Sequence, residues 1–157
     1  MNEVKKIPDG YHSITPALIV KDGEAAIEFY KKGFGAEERH RMKGPDGRIA
    51  HAELKIGDSI FMLSDEFPEM KCLSPNSIGG SSVAMYVYVE DVDAIFDKAV
   101  SAGAKVLDPV KDQFWGDRHG RLEDPSGHLW SIATHKKDLS PEEMKKAAEA
   151  AFSEMSK

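Results

Sequence analysis

Six histidines and one cysteine hold most of the reactive chemistry available to this 157-residue chain. His51 and Glu53 are two residues apart, which puts both on one face of an extended strand. His119 sits in a similar stretch, His119-Gly-Arg-Leu122 against His51-Ala-Glu-Leu54. Imidazoles and carboxylates ligate divalent metals, so His51, Glu53 and His119 could hold one if the two stretches approach. Arg121 stands where a second carboxylate would be and would repel a cation. A Glu53–Arg121 ion pair, or simple exposure of the histidines, accounts for the same residues without a metal. The second constellation is Gln113-Phe-Trp-Gly-Asp-Arg118. Phe114 and Trp115 offer flat contact area, and Arg118 offers a fork for a carboxylate or phosphate. One reading is a mouth loop that sets Phe114 and Trp115 against a ligand. The other pairs Asp117 with Arg118 to hold an edge strand and makes Trp115 a core plug. His128 follows a Pro-Ser-Gly turn and is expected to hydrogen-bond it, while His12, His40 and His135 are expected at the surface. Cys72 lies in a loop-like stretch with no base nearby, which argues against a nucleophile. No paired carboxylates mark a general acid and base, and no GxSxG, Walker A or GxGxxG pattern is present.

The elements that must position these residues occur twice. Ile14-Thr-Pro-Ala-Leu-Ile-Val-Lys-Asp22 matches Val83-Ala-Met-Tyr-Val-Tyr-Val-Glu-Asp91. Each run is a strand pattern that ends on an aspartate suited to cap a helix, and glycines follow each helical pattern. Gly57-Asp-Ser-Ile-Phe-Met-Leu63 matches Ser126-Gly-His-Leu-Trp-Ser-Ile132. Each half therefore reads strand, helix, then three strands, an α+β arrangement of two βαβββ modules over residues 12–65 and 83–135. Residues 66–82 form a Pro-, Gly- and Ser-bearing linker. A capping box at Ser140 and Glu143 opens a C-terminal helix over 140–156. Its apolar stripe of Met144, Ala148, Ala151, Phe152 and Met155 is expected to lie on the domain or on a partner chain.

Alternation along the strands separates two faces. Ile14, Pro16, Leu18 and Val20, with Val83, Met85, Val87 and Val89, are apolar and should face the helices. Phe61, Leu63, Trp130 and Ile132 belong to the same side. The opposite face carries Thr15, Ala17 and Ile19 in one half and Ala84, Tyr86 and Tyr88 in the other. Ile60, Met62 and Ser64 match Leu129, Ser131 and Ala133 on that same opposite face. Its mixture of small, aromatic and hydroxyl groups suits a cavity lining, although a closed sheet-to-sheet core would use it too.

Composition limits the function classes. The net charge of −6 disfavours a general nucleic-acid binder, which needs a basic face. No apolar run is long enough to cross a membrane, and the first ten residues hold no apolar stretch of the signal-peptide kind. One cysteine cannot form an internal disulfide and suits the cytoplasm.

The doubled unit, Val20-Lys-Asp22 leading to Ile27-Glu-Phe-Tyr30, and Asp124-Pro-Ser-Gly-His128 before the last strand resemble the vicinal oxygen chelate superfamily. That group includes glyoxalase I, bleomycin-resistance proteins and extradiol dioxygenases. His51-Ala-Glu-Leu-Lys-Ile-Gly-Asp-Ser59 and Phe114-Trp-Gly-Asp-Arg-His-Gly-Arg-Leu122 resemble its bacterial glyoxalase-like and demethylubiquinone-methyltransferase-like branch. The resemblance covers residues 12–135. It implies curved mixed sheets around a central cavity and a homodimer, in some members with units exchanged between chains. In metal-dependent members, His or Glu ligands come from four strand positions. Here those positions fall at Thr15, Met62, Ala84 and Ser131, none of which suits a divalent metal. The expectation is therefore a cytoplasmic protein that binds a small molecule in the inter-sheet cavity without a metal or other cofactor, and without nucleic-acid or membrane partners. Whether it is an enzyme stays open. The expected ligand contacts are Thr15, Met62, Ala84, Tyr86, Tyr88, Phe114, Trp115, Arg118 and Ser131. The acidic balance favours a neutral or cationic ligand. The alternative is a glyoxalase-like lyase or isomerase with a metal displaced to His51, Glu53 and His119.

Overall fold

The computed structural model describes residues 3–157. The first module opens with β1 (Ala17–Val20), and Asp22 then starts α1 (Gly23–Phe34) by accepting a hydrogen bond from Ala25 N at 3.0 Å. That side chain satisfies a backbone donor that the first helical turn would otherwise leave unpaired. Three strands follow, β2 (Glu37–Lys43), β3 (Ile49–Ile56) and β4 (Ser59–Asp65). The linker holds a single 3-10 turn at Pro68–Met70 and a short helix α2 (Pro75–Ile78). Glu66 organises it by accepting from Ser74 Oγ at 2.6 Å and Ser74 N at 2.8 Å, and these bonds hold its carboxyl down at about 2.

The second module repeats the plan. It runs β5 (Ala84–Tyr88), α3 (Val92–Ser101) capped by Asp91, β6 (Lys105–Asp112), β7 (Asp117–Glu123) and β8 (Leu129–His135). The sheets have the same order, β1-β4-β3-β2 and β5-β8-β7-β6. In each, the first strand pairs parallel with the last, and the other neighbours are antiparallel. Ala17 lies opposite Met62 and Tyr86 opposite Ser131, so the registers are repeat-equivalent too. The fold is α+β with two βαβββ modules, and α4 (Pro141–Met155) follows them.

Both modules turn their helices toward one shared core. Val20, Ile27, Leu54, Leu63, Leu122 and Ile132 are fully buried in it. Burying each such side chain contributes roughly 1.5–3 kcal/mol. Gly33 of α1 meets α3 so closely that a Cβ there would stand 3.1 Å from Ala99 Cα. Trp130 from β8 packs on Phe34 and Phe61 of the first module, with ring centroids 4.9 and 6.0 Å apart. Asp124 anchors this seam. Its Oδ2 accepts from Tyr30 OH at 2.5 Å and Trp130 Nε1 at 2.9 Å, and its Oδ1 from Ser126 N and His128 N. Four donors make burial of this carboxylate tolerable. Burial first, and then the Asp124 charge, hold the Tyr30 hydroxyl protonated well above its ordinary pKa.

One expectation needs correction, and two gain detail. Ile14 and Val83 do not face the helices: they precede the strands and are 87% and 63% exposed. His128 does bond its turn, but its ring also reaches across the modules, with Nε2 2.8 Å from Ile19 O. No residue of α4 is fully buried: Met144, Ala148 and Ala151 of its stripe are half-buried, while Phe152 and Met155 are exposed, and Phe152 meets Phe114 at 5.7 Å.

Candidate functional site

The chemistry expected around β7 exists, but the Asp117–Arg118 pair of the second reading of the Gln113–Arg118 stretch does not form. Strand alternation puts Asp117 and His119 on the face of the second sheet away from α3 and sends Arg118 to the other side. Arg118 there bonds Asp93 of α3 at 2.8 and 2.9 Å and Asp112 at 3.3 Å. It therefore clamps the helix to the sheet and is not paired with Asp117.

Asp117 is 3% exposed and serves as an acceptor hub. Tyr86 OH, Tyr88 OH and Trp115 Nε1 all donate to its Oδ2, at 2.8, 3.0 and 3.2 Å. Its Oδ1 meets His135 Nδ1 at 2.8 Å, and His135 Nε2 lies 2.9 Å from Asp138. Burial alone would raise the Asp117 pKa. The bonds from His135, Tyr86, Tyr88 and Trp115 outweigh that and hold it below the ordinary carboxylate value. The two carboxylates raise the pKa of His135. Tyr86 is pushed up to about 12, by burial first and by Asp117.

His119 lies beneath Tyr86. The rings stack at 5.3 Å and 12°, and Trp115 meets the imidazole edge-on at 5.5 Å. His119 is 6% exposed, and neither ring nitrogen has a hydrogen-bond partner among the described residues. Burial, then Arg121, lowers its pKa. The imidazole is thus neutral near pH 7 and has one unused donor and one unused acceptor.

A glycine shapes the rim. Gly116 turns between Trp115 and Asp117 at φ 102, and a Cβ there would fall 2.3 Å from Lys137 O. Its carbonyl accepts from Lys136 N and Lys137 N, which ties the mouth loop to the chain leaving β8. Phe114 packs on Trp115 at 5.1 Å.

The structure therefore brings Tyr86, Tyr88, Phe114 and Trp115 together, with Ser131 buried in register between Tyr86 and Arg121. Ala84 opens β5 and, with Tyr86 and Tyr88, lines a cavity of about 920 Å3 between β5 and the β3–β4 turn at Ile56–Phe61. Met62 lies on the first sheet opposite Ala17 and Glu53, and Thr15 precedes β1. Neither belongs to the aromatic cluster.

The metal-like trio does not assemble within the chain. His51 Nε2 is 3.3 Å from Glu53 and its ring is 6.3 Å from that of His40, all on the first sheet. His119 is on the second. Among the described residues, no group of three or more His, Cys, Asp or Glu side chains is placed to hold a metal ion. The alternative Glu53–Arg121 pair is absent as well, since Glu53 bonds His51 and Tyr11 while Arg121 bonds Asp108. Sequence reasoning missed Asp117 as a hub, the burial of His119 and the role of His135. The alternation of Asp117-x-His119 and of Tyr86-x-Tyr88, on two strands that flank β8, was the available signal.

The model of the Glyoxalase/Bleomycin resistance protein/Dioxygenase superfamily matches residues 11–132. The chain belongs to this superfamily. An uncharacterised protein of Mycobacterium tuberculosis H37Rv is 42% identical over 138 residues, covering 86% of this chain and 81% of that one. YjdN of Escherichia coli is 28% identical over 127 residues, covering 68% of this chain and 84% of its own. The crystal structure of TioX from Micromonospora sp. ML1 superposes with a TM-score of 0.62 at 29% identity, over 79% of this chain and 98% of TioX. The superfamily's scaffold supports many chemistries, so the site decides function.

Proposed function

We propose that this chain is a small-molecule-binding member of the superfamily and that its ligand binds at the face built from Tyr86, Tyr88, Trp115 and His119. The observation that carries this reading is the pair of unpartnered nitrogens on buried His119. An unpaired buried polar group costs about 1–3 kcal/mol, so its retention needs a compensating role. Hydrogen bonding to a ligand supplies one. Half-exposed aromatics beside a cavity with a few convergent polar groups are what small-molecule sites are made of.

The four positions that the family would use for a metal hold Thr15, Met62, Ala84 and Ser131. Hydroxyls, a thioether and a methyl group do not suit a divalent cation.

The protein acts, in this reading, as a cytoplasmic homodimer. β1 and β5 are both sheet edges, and Ile14, Val83, Tyr86 and Tyr88 are exposed beside them. Open edges flanked by apolar side chains favour association with a second copy.

A fragment screen by two-dimensional NMR tests the assignment. Hits should shift the signals of Tyr86, Tyr88, Trp115 and His119. Hits that cluster on His40, His51 and Met62, or a neutral and cationic panel with no hit at all, would contradict it.

A further inference from the structure

Resting on that reading, we propose that the ligand is a planar hydroxyaromatic molecule, which takes the place that the Tyr86 side chain now fills. Tyr86 is itself a phenol, and its surroundings define a phenol site. The face of its ring is stacked on His119, its hydroxyl donates to Asp117 Oδ2 at 2.8 Å, and that hydroxyl accepts from Trp115 Nε1 at 3.3 Å. A flat platform, an anionic acceptor and an indole donor are a full complement for an aromatic ring carrying one hydroxyl.

Tyr86 is also built to leave. It is 44% exposed on an edge strand, whereas the imidazole beneath it is buried. Asp117 Oδ2 receives three donors, one more than its two lone pairs serve well. Withdrawal of Tyr86 leaves that oxygen bonded to Tyr88 and Trp115, so no buried charge is stranded. It also uncovers the face of the His119 ring, on which the incoming ring stacks. Tyr86 is an internal competitor, and the apparent affinity is lowered by the fraction of molecules in which it still occupies the site.

Calorimetric titration of the full chain with 6-hydroxyquinoline, quinoline and 6-methoxyquinoline tests this. The three share a ring system and differ in the hydroxyl. The hydroxyl compound should bind the wild type about tenfold more tightly than the other two, the weight of one hydrogen bond to a charged acceptor. Tyr86→Ala should tighten its binding several-fold by removing the competitor. Trp115→Phe, which keeps the ring but not the N–H, should narrow the preference, and circular dichroism checks that each variant is folded. Equal affinity for all three overturns the hydroxyl assignment and leaves small-molecule binding standing. Weaker binding to folded Tyr86→Ala makes Tyr86 a wall of the site and overturns its role as a stand-in. Failure of all three while other fragments map to this face overturns the ligand class alone. Failure of every compound at this face overturns the binding reading as well.

Discussion

At the residue scale, two histidines of the same face titrate in opposite senses. Burial and Arg121 push the His119 pKa below the ordinary 6.5, so the unfolded chain binds its proton more readily than the folded one. Its contribution to stability is intact above 6.5 and is lost as the pH falls through 6.5 toward its folded pKa. Asp117, then Asp138, raise His135 above 6.5. Its contribution is present below 6.5 and is lost as the pH rises through its folded pKa. Thermal melts of the wild type and His119→Gln from pH 5 to 7 check the first statement. The wild type should lose stability on acidification, and the variant should lose less. Asp117 makes a second prediction. Asp117→Ala removes the common acceptor of Tyr86, Tyr88, Trp115 and His135, and should destabilise the fold by about 1.5–3 kcal/mol in urea melts, the range for a hydrogen-bonded charged group. It should also abolish ligand binding. His119 stood out in the sequence as a possible metal ligand and not as a buried imidazole, because a histidine gives no sign of its burial, and His135 acquires its partners only when β8 is placed beside β7.

At the element scale, the doubled module was legible because it is written in local signals. Asp22 and Asp91 cap helices as their positions suggest, and the alternation of Leu18, Val20, Phe61, Leu63, Trp130 and Ile132 does face the core. Strand ends were less legible. Ile14 and Val83 continue the apolar alternation past the point where pairing with β4 and β8 stops, and pairing depends on a distant strand. The Arg118 misplacement has the same origin. A one-residue choice of face sends a side chain to opposite sides of a sheet, and only the Asp117–His135 register settled it. The seam between α1 and α3 depends on the missing side chain at Gly33. Gly33→Val should force the helices apart from Ala99 and destabilise by about 1–3 kcal/mol, the usual cost of overpacking, as read by chemical denaturation.

At the scale of the whole molecule, the two modules are alike in topology and unlike in chemistry. The first sheet carries His40, His51 and Glu53 on β2 and β3, with Tyr11 bonded to Glu53. The second carries the aromatic and acidic face. Family membership and topology could be anticipated from the repeat, and Tyr86, Tyr88 and Trp115 from the strand faces and the Gln113–Arg118 stretch, whereas the Asp117 hub and the burial of His119 could not, since they depend on how β7 is placed in the sheet. The proposed pairing through the open edges of β1 and β5 predicts a mass of twice 17.3 kDa in sedimentation at micromolar concentration, with an interface in the usual range of about 1,200–2,000 Å2, and a mass of 17.3 kDa would contradict it. The most direct test of the binding site is the long-range proton–nitrogen spectrum of the histidine rings at pH 7, recorded with and without a fragment that binds. The expected result is a neutral His119 whose ring nitrogens shift on binding while those of His51 do not. Ligand binding that moves His51 and leaves His119 unchanged would contradict it.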